Sequence, residues 1–172
     1  MANCVVRTDL LAGTRNPAFL EHGRYYNASD AQAEIQNGSI VYVDALETEE
    51  RESHKYKDVP ENATIKDLVL IAAPEVIYDE SNHKTLRDFI NEAGKIIRGY
   101  YLLPNTEFSV SAEGITGTAP TVGQKLVVAK DTHIMKVGTA GSGVTVIGEC
   151  TAIETKFQYG ATMTYYTIKV EG

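Results

Sequence analysis

Asp67-Leu68-Val69-Leu70-Ile71-Ala72-Ala73, closed off by Pro74, is the longest apolar run in the chain. A strand with one wet face alternates apolar and polar side chains, and this run does not alternate. It therefore predicts a strand buried on both faces, one that needs other layers on either side of it. It is far too short to span a bilayer. Val76-Ile77-Tyr78 is expected to extend it beyond a proline bulge. On its N-terminal side, Ile40-Val41-Tyr42-Val43 is a β-branched and aromatic strand. On its C-terminal side, Ile96-Ile97-Arg98-Gly99-Tyr100-Tyr101-Leu102 is another, turned by Leu103-Pro104-Asn105-Thr106.

Two short helices are predicted, one before the first of these strands and one between the last two. Ser29 and Gln32 have the capping-box spacing, Ala31, Ala33, Glu34 and Ile35 favour helix, and Asn37-Gly38 supplies a left-handed stop. The second helix starts near Asn82–Thr85. Thr85 and Asp88 again fit a capping box, Leu86, Phe89, Ile90 and Ala93 fall on one face, and Gly94 ends it. The polar stretch from Glu47 to Asp58 carries mixed charge without apolar period and reads as a solvated loop or hairpin tip.

From Glu107 the pattern becomes purely β. Phe108 to Ala112 alternates, Lys125–Ala129 and Ile134–Val137 are short strands, and Val144–Ile153 is a long one in which Gly148 marks a bulge or close backbone approach. Met163–Val170 alternates again. Residues 1–24 lack any period and read as an extended arm whose Leu10, Leu11, Phe19 and Leu20 need a cover: either its own domain or a neighbouring subunit. The predicted fold is α+β, mainly β. It comprises an N-terminal arm (1–24), a small α+β domain with two short helices (25–104) and an all-β barrel or sandwich module (105–172).

With 172 residues, 43% hydrophobic and 23% charged, the chain can hide about 70% of its extended surface without disulfide or metal. Its 16 basic and 23 acidic residues leave a net charge of −7, which argues against sequence-independent nucleic-acid binding. No basic segment followed by an apolar run opens the sequence, and Cys4 and Cys150 lie far apart, so two reduced thiols in a cytosol are expected.

Chemical motifs are weak. Gly138 to Gly143 is glycine-rich, but strand formers follow it where a phosphate loop needs a helix, so it reads as a hairpin turn. Asp79, Glu80 and His83 have helical spacing, yet His22, His54 and His133 supply no further paired ligand. No G-x-S-x-G elbow or activated cysteine is present. No catalytic residue, cofactor or metal is expected, and the chain reads as a non-enzyme.

Ten tyrosines and no tryptophan stand out, with pairs at Tyr25-Tyr26, Tyr100-Tyr101 and Tyr165-Tyr166. In a strand one ring of each pair faces out, where tyrosine suits an interface. Ordinary strand preference explains the pairs equally well. The interface candidates are Leu10, Leu11, Phe19, Leu20, Tyr25, Tyr26, Tyr100, Tyr101 and Tyr165.

The order of segments Tyr26–Ala31, Ile35–Val41, Ala73-Pro74-Glu75-Val76, Phe89–Gly99 and Pro120–Leu126 resembles small head-decoration, or auxiliary capsid, proteins of tailed bacteriophages. The likeness covers about residues 25–170. It implies a non-enzymatic virion protein on the outer capsid surface, made in the host cytoplasm, that reinforces contacts between major capsid subunits. The implied partners are the major capsid protein and further copies of the chain, a trimer being one option, with no direct nucleic acid and no membrane. Other readings are a head-fibre base, tail-tube or connector protein, or a carbohydrate-binding β-module using outward tyrosines.

Overall fold

Leu68–Ile71 is a strand buried at every position, as its unbroken apolar run predicts. The computed structural model describes residues 2–11, 13–48, 50–76 and 85–172. Among them, twelve strands form two sheets. The first is a closed barrel built from β2 (Leu20–Tyr25), β3 (Ile40–Leu46), β4 (His54–Lys57), β5 (Leu68–Ile71) and β6 (Ile97–Tyr101), in the order β2-β4-β3-β5-β6. Its β2–β4 pair is parallel and the others antiparallel.

The second sheet contains β1 (Val6–Arg7), β7 (Glu107–Ser111), β8 (Ile115–Thr116), β9 (Lys125–Ala129), β10 (Met135–Val137), β11 (Val144–Gln158) and β12 (Ala161–Val170). Their order is β1-β7-β12-β11-β9-β10-β8. Strand β8 follows β7 after one short turn, yet the two stand second and last in the sheet. Laid flat, five strand spacings would separate them by roughly 24 Å. Ser111 to Ile115 can span at most about 14 Å. The sheet must therefore curl until its two rims approach. Cys4, beside β1, meets the other rim: a Cβ on Gly114 would lie 2.6 Å from its sulfur.

Side-chain alternation divides the apolar residues between cores. Val41, Val69 and Ile71 fill the barrel with Tyr25, Tyr56 and Ile97. Their neighbours Ile40, Leu68 and Leu70 face the curled sheet and pack with Phe108, Leu126 and Ile168. Backbone hydrogen bonds clamp the sheets together: Ile40 N–H donates to His133 O (2.8 Å), Val59 N–H to Thr132 O (3.0 Å) and Asp131 N–H to Val59 O (2.8 Å).

Tyr56 sets the width of the barrel. It is fully buried, and glycine is needed on both strands it touches. A Cβ on Gly23 would come 2.8 Å from the ring, and one on Gly99 would come 3.0 Å from the hydroxyl and 2.7 Å from Val69. The hydroxyl finds no hydrogen-bond partner among the described residues.

Several expectations need correction. Neither predicted helix is present as such. Around Ser29, the Asn27 carboxamide accepts from the N–H groups of Ser29 (3.0 Å) and Ala31 (3.2 Å), which makes a side-chain-closed turn in place of a helix start. Thr85 and Asp88 do form a capping box, but it closes only the 3-10 turn Leu86–Asp88. Beyond it, Asn91 exchanges backbone hydrogen bonds with Ile35, and its side chain donates to Ile35 O and Asn37 Oδ1. These tertiary bonds hold the segment extended against its helical pattern.

The N-terminal segment is not an extended arm. Val6–Arg7 pairs with β7, Cys4, Val5 and Leu11 are buried, Pro17–Phe19 is a 3-10 turn, and Leu20–Tyr25 is a barrel strand. It covers its own fold, the first of the two alternatives. The glycine-rich 138–143 segment is not a turn between paired strands: β9 lies between β10 and β11. β3 and β4 pair antiparallel on either side of the expected hairpin tip, of which residue 49 lies outside the described residues, although His54–Lys57 is strand. Gly148 does sit at a bulge, where the β9–β11 register shifts. Ile77, Tyr78 and the 82–84 start of the second helix lie outside the described residues.

Both thiols are buried, and burial pushes the Cys4 thiol up to about 12. Native protein should therefore not react with a thiol reagent at about pH 8, and both cysteines should react once guanidinium unfolds it. For the barrel, Gly23→Ala and Gly99→Ala should each lower stability by about 1–3 kcal/mol through overpacking. Tyr56→Phe, which removes an unpaired hydroxyl, should leave stability equal or higher. Urea denaturation midpoints check both statements.

Candidate interaction surface

Most of the predicted interface residues are covered within the fold. Tyr100 points out of the barrel only to enter the joint core, and its neighbour Tyr101 packs against the barrel interior. Tyr166 lies in the joint core, while Tyr165 is buried on the opposite face with Val5 and Met163. Tyr25 is inside the barrel. Each pair does split between two faces, but both faces are covered. Tyr26 is half-buried, with Lys55 Nζ 4.9 Å from its ring centroid, and its hydroxyl donates to Glu47 (2.8 Å). Leu11 is buried, Leu20 and Phe19 are half-buried, and Leu10 is 58% exposed. Of the nine candidates, then, Leu10 alone is a largely open apolar side chain.

Two carboxylate–histidine–tyrosine clusters were not visible from sequence spacing. In the first, Asp58 Oδ1 lies 2.7 Å from His133 Nδ1 and accepts from the Tyr25 hydroxyl at 2.8 Å. The His133 and Tyr25 rings meet edge-on at 5.3 Å. His133 stabilises the Asp58 carboxylate most, with Tyr25 adding to it, so the carboxyl titrates below its usual range. This cluster bridges barrel and curled sheet. In the second, Glu21 sits 3.0 Å from His54 Nδ1 and accepts from the Tyr101 hydroxyl at 3.1 Å. Both carboxylates are engaged by partners from other segments of the fold, the geometry of a latch between elements.

The polar groove at the barrel mouth, about 450 Å³, holds Arg24, Tyr26, Glu47, Glu50 and Lys55. Arg24 is bound to Glu47 and Glu50, and Lys55 lies over one face of the Tyr26 ring, so the groove's cations are already engaged within it. Among the described residues no cluster of three or more His, Cys, Asp or Glu could hold a metal ion, and no helix is long and apolar enough to cross a membrane. Asp79, Glu80 and His83 lie outside the described residues.

Among the described residues, the most exposed large apolar side chain lies elsewhere. Strands β11 and β12 continue as a two-stranded ribbon after their outer neighbours end. The last β9 partner on β11 is Glu149, and the first β7 partner on β12 is Tyr165. The ribbon closes at Tyr159-Gly160, whose φ values of 52° and 75° are those of a type I′ turn. One face carries Ile153, Thr155 and Phe157 opposite Tyr166, Thr164 and Thr162. It has no charged residue. Phe157 is 76% exposed and Ile153 43%. Because Tyr166 belongs to the joint core, this face continues the core's apolar surface out into solvent. The ribbon's charges, Glu154 and Lys156, are on the other face, where Glu154 pairs with Arg7 (3.0 Å) and Lys156 (2.8 Å).

No protein family, curated protein or solved structure matches this chain. The ribbon face is therefore judged on its own chemistry. A signal for it was present in the sequence: Ile153-Glu154-Thr155-Lys156-Phe157 alternates, so the expected strand ending at Ile153 was too short.

The Asp58 latch makes a pH-dependent prediction. A carboxyl held below its unfolded value stabilises the fold at pH above that value, and the contribution is lost as pH falls through the folded one. Asp58→Ala should thus cost about 2 kcal/mol near pH 7 and progressively less below about pH 4. Thermal or urea denaturation across that range measures it.

Proposed function

We propose that this chain is a non-enzymatic structural protein of a phage virion that binds the outer surface of the capsid and reinforces contacts between major capsid subunits. The observation that carries this reading is the open, uncharged face of the β11–β12 ribbon. Ile153 and Phe157 stand on it with three threonines, in continuity with a core that is otherwise covered. Such a face gains by burial against another protein and suits a flat subunit surface. Copies repeated over a shell would add weak contacts of this kind into firm attachment.

The resemblance in segment order to head-decoration proteins supports the same assignment. So does the net charge of −7, which suits the outside of a shell filled with anionic DNA. The carbohydrate-binding alternative draws no support from the tyrosines, since Tyr25, Tyr100 and Tyr165 are buried and Lys55 lies over Tyr26.

Purified protein added to capsids lacking it should bind to a fixed stoichiometry and raise the temperature at which the shells rupture. Phe157→Asp should weaken that binding at least about tenfold without unfolding the protein. Folded parent protein that fails to bind such shells would overturn the proposal.

A further inference from the structure

We propose that the free edge of β11 pairs with the same edge of a second copy of this chain, across a two-fold axis at Thr155. From Thr151 to Gln158, β11 has no strand on its outer side among the described residues, because β9 stops at Lys125 opposite Glu149. Its backbone N–H and C=O groups along that edge are a template for another strand.

The side chains specify which strand fits. The edge reads Ile153-Glu154-Thr155-Lys156-Phe157, a sequence chemically complementary to itself about its centre. Antiparallel pairing with Thr155 opposite Thr155 of the second copy sets Glu154 opposite Lys156 of the second copy, and Lys156 opposite its Glu154. On the other face it sets Ile153 opposite Phe157, twice. Opposite charges and aromatic–β-branched pairs are both favourable cross-strand partners. The two charge pairs and the two apolar pairs then share one isologous contact.

Neighbouring registers fail. A shift of two residues in one direction puts Lys156 against Lys156, and in the other Glu154 against Glu154. A shift of one turns the uncharged face of one ribbon to the charged side of the other. In the favoured register the two uncharged faces join into one surface carrying two copies each of Ile153 and Phe157. The pairing is made by the backbone edge and by Glu154 and Lys156, which lie off the shell-binding face, while Ile153 and Phe157 are common to both contacts.

Sedimentation equilibrium of the purified protein tests it. The parent should be a dimer, and Glu154→Lys or Lys156→Glu alone should weaken the dimer at least about tenfold, since each brings like charges together. An equimolar mixture of these two variants should recover parent-like association as a heterodimer, because every Lys then faces a Glu. Arg7→Ala removes one of the two in-chain partners of Glu154 and should leave the dimer intact. A monomer at about 100 μM parent protein, full-strength dimers of both single variants, or a mixture that associates no better than its components would each overturn the pairing.

Thr155→Cys gives a second measurement if a charge variant fails to fold. A short bismaleimide should link the two introduced thiols across the axis, the native Cys4 and Cys150 being buried. Absence of that cross-link in folded protein would also overturn the proposal. Loss of dimerisation in the charge variants with capsid binding retained separates this pairing from shell attachment, since Glu154 and Lys156 lie off the uncharged face.

Discussion

Strand β5 supplies Leu68 and Leu70 to the core between the sheets and Val69 and Ile71 to the core inside the barrel. Ile40 and Val41 divide in the same way on the neighbouring strand. These side chains make a common wall, so neither core can close independently of the other. The backbone clamps from His133, Thr132 and Val59 and the Asp58 latch all cross the same boundary and fix its alignment. The burial supplies the driving force, since apolar contact is non-directional, and the hydrogen bonds select the arrangement.

The β character of the chain was legible because it depends on local alternation and on runs without polar breaks. Leu68–Ile71, the alternating C-terminal strands and the bulge at Gly148 all belong to that class. Helix signals misled because they too are local. Asn27 closes a turn two residues before the supposed cap Ser29, and Asn91 ties itself to Ile35, a residue distant in sequence. A capping box at Thr85 and Asp88 was correctly recognised, but it caps a single 3-10 turn.

The candidate surface was less legible than the fold. Tyrosine pairs predicted alternating exposure, and alternation is what the strands provide. What the sequence does not carry is the second layer that covers the outward ring, so Tyr100 and Tyr165 are hidden. Phe157 shows the opposite case: it lies in a strand that outruns its neighbours, and relative strand length is a property of sheet assembly. The arm was misjudged for a related reason. Its partner, β7, lies more than half the chain away, beyond the reach of any periodicity argument.

That distance also orders events during synthesis. The barrel strands lie within residues 20–101 and can be paired by the time that stretch is made. Val6 pairs with Val110, and β7 itself needs β12, which ends at Val170. Strand β1 is thus made before the barrel but docked after it, and closing so long a loop is entropically costly and slow. Until then the apolar outer side of the barrel wall stays uncovered. Until β12 is paired, a growing chain carries that exposed apolar surface, which makes the closing of the last hairpin the step that removes an aggregation hazard.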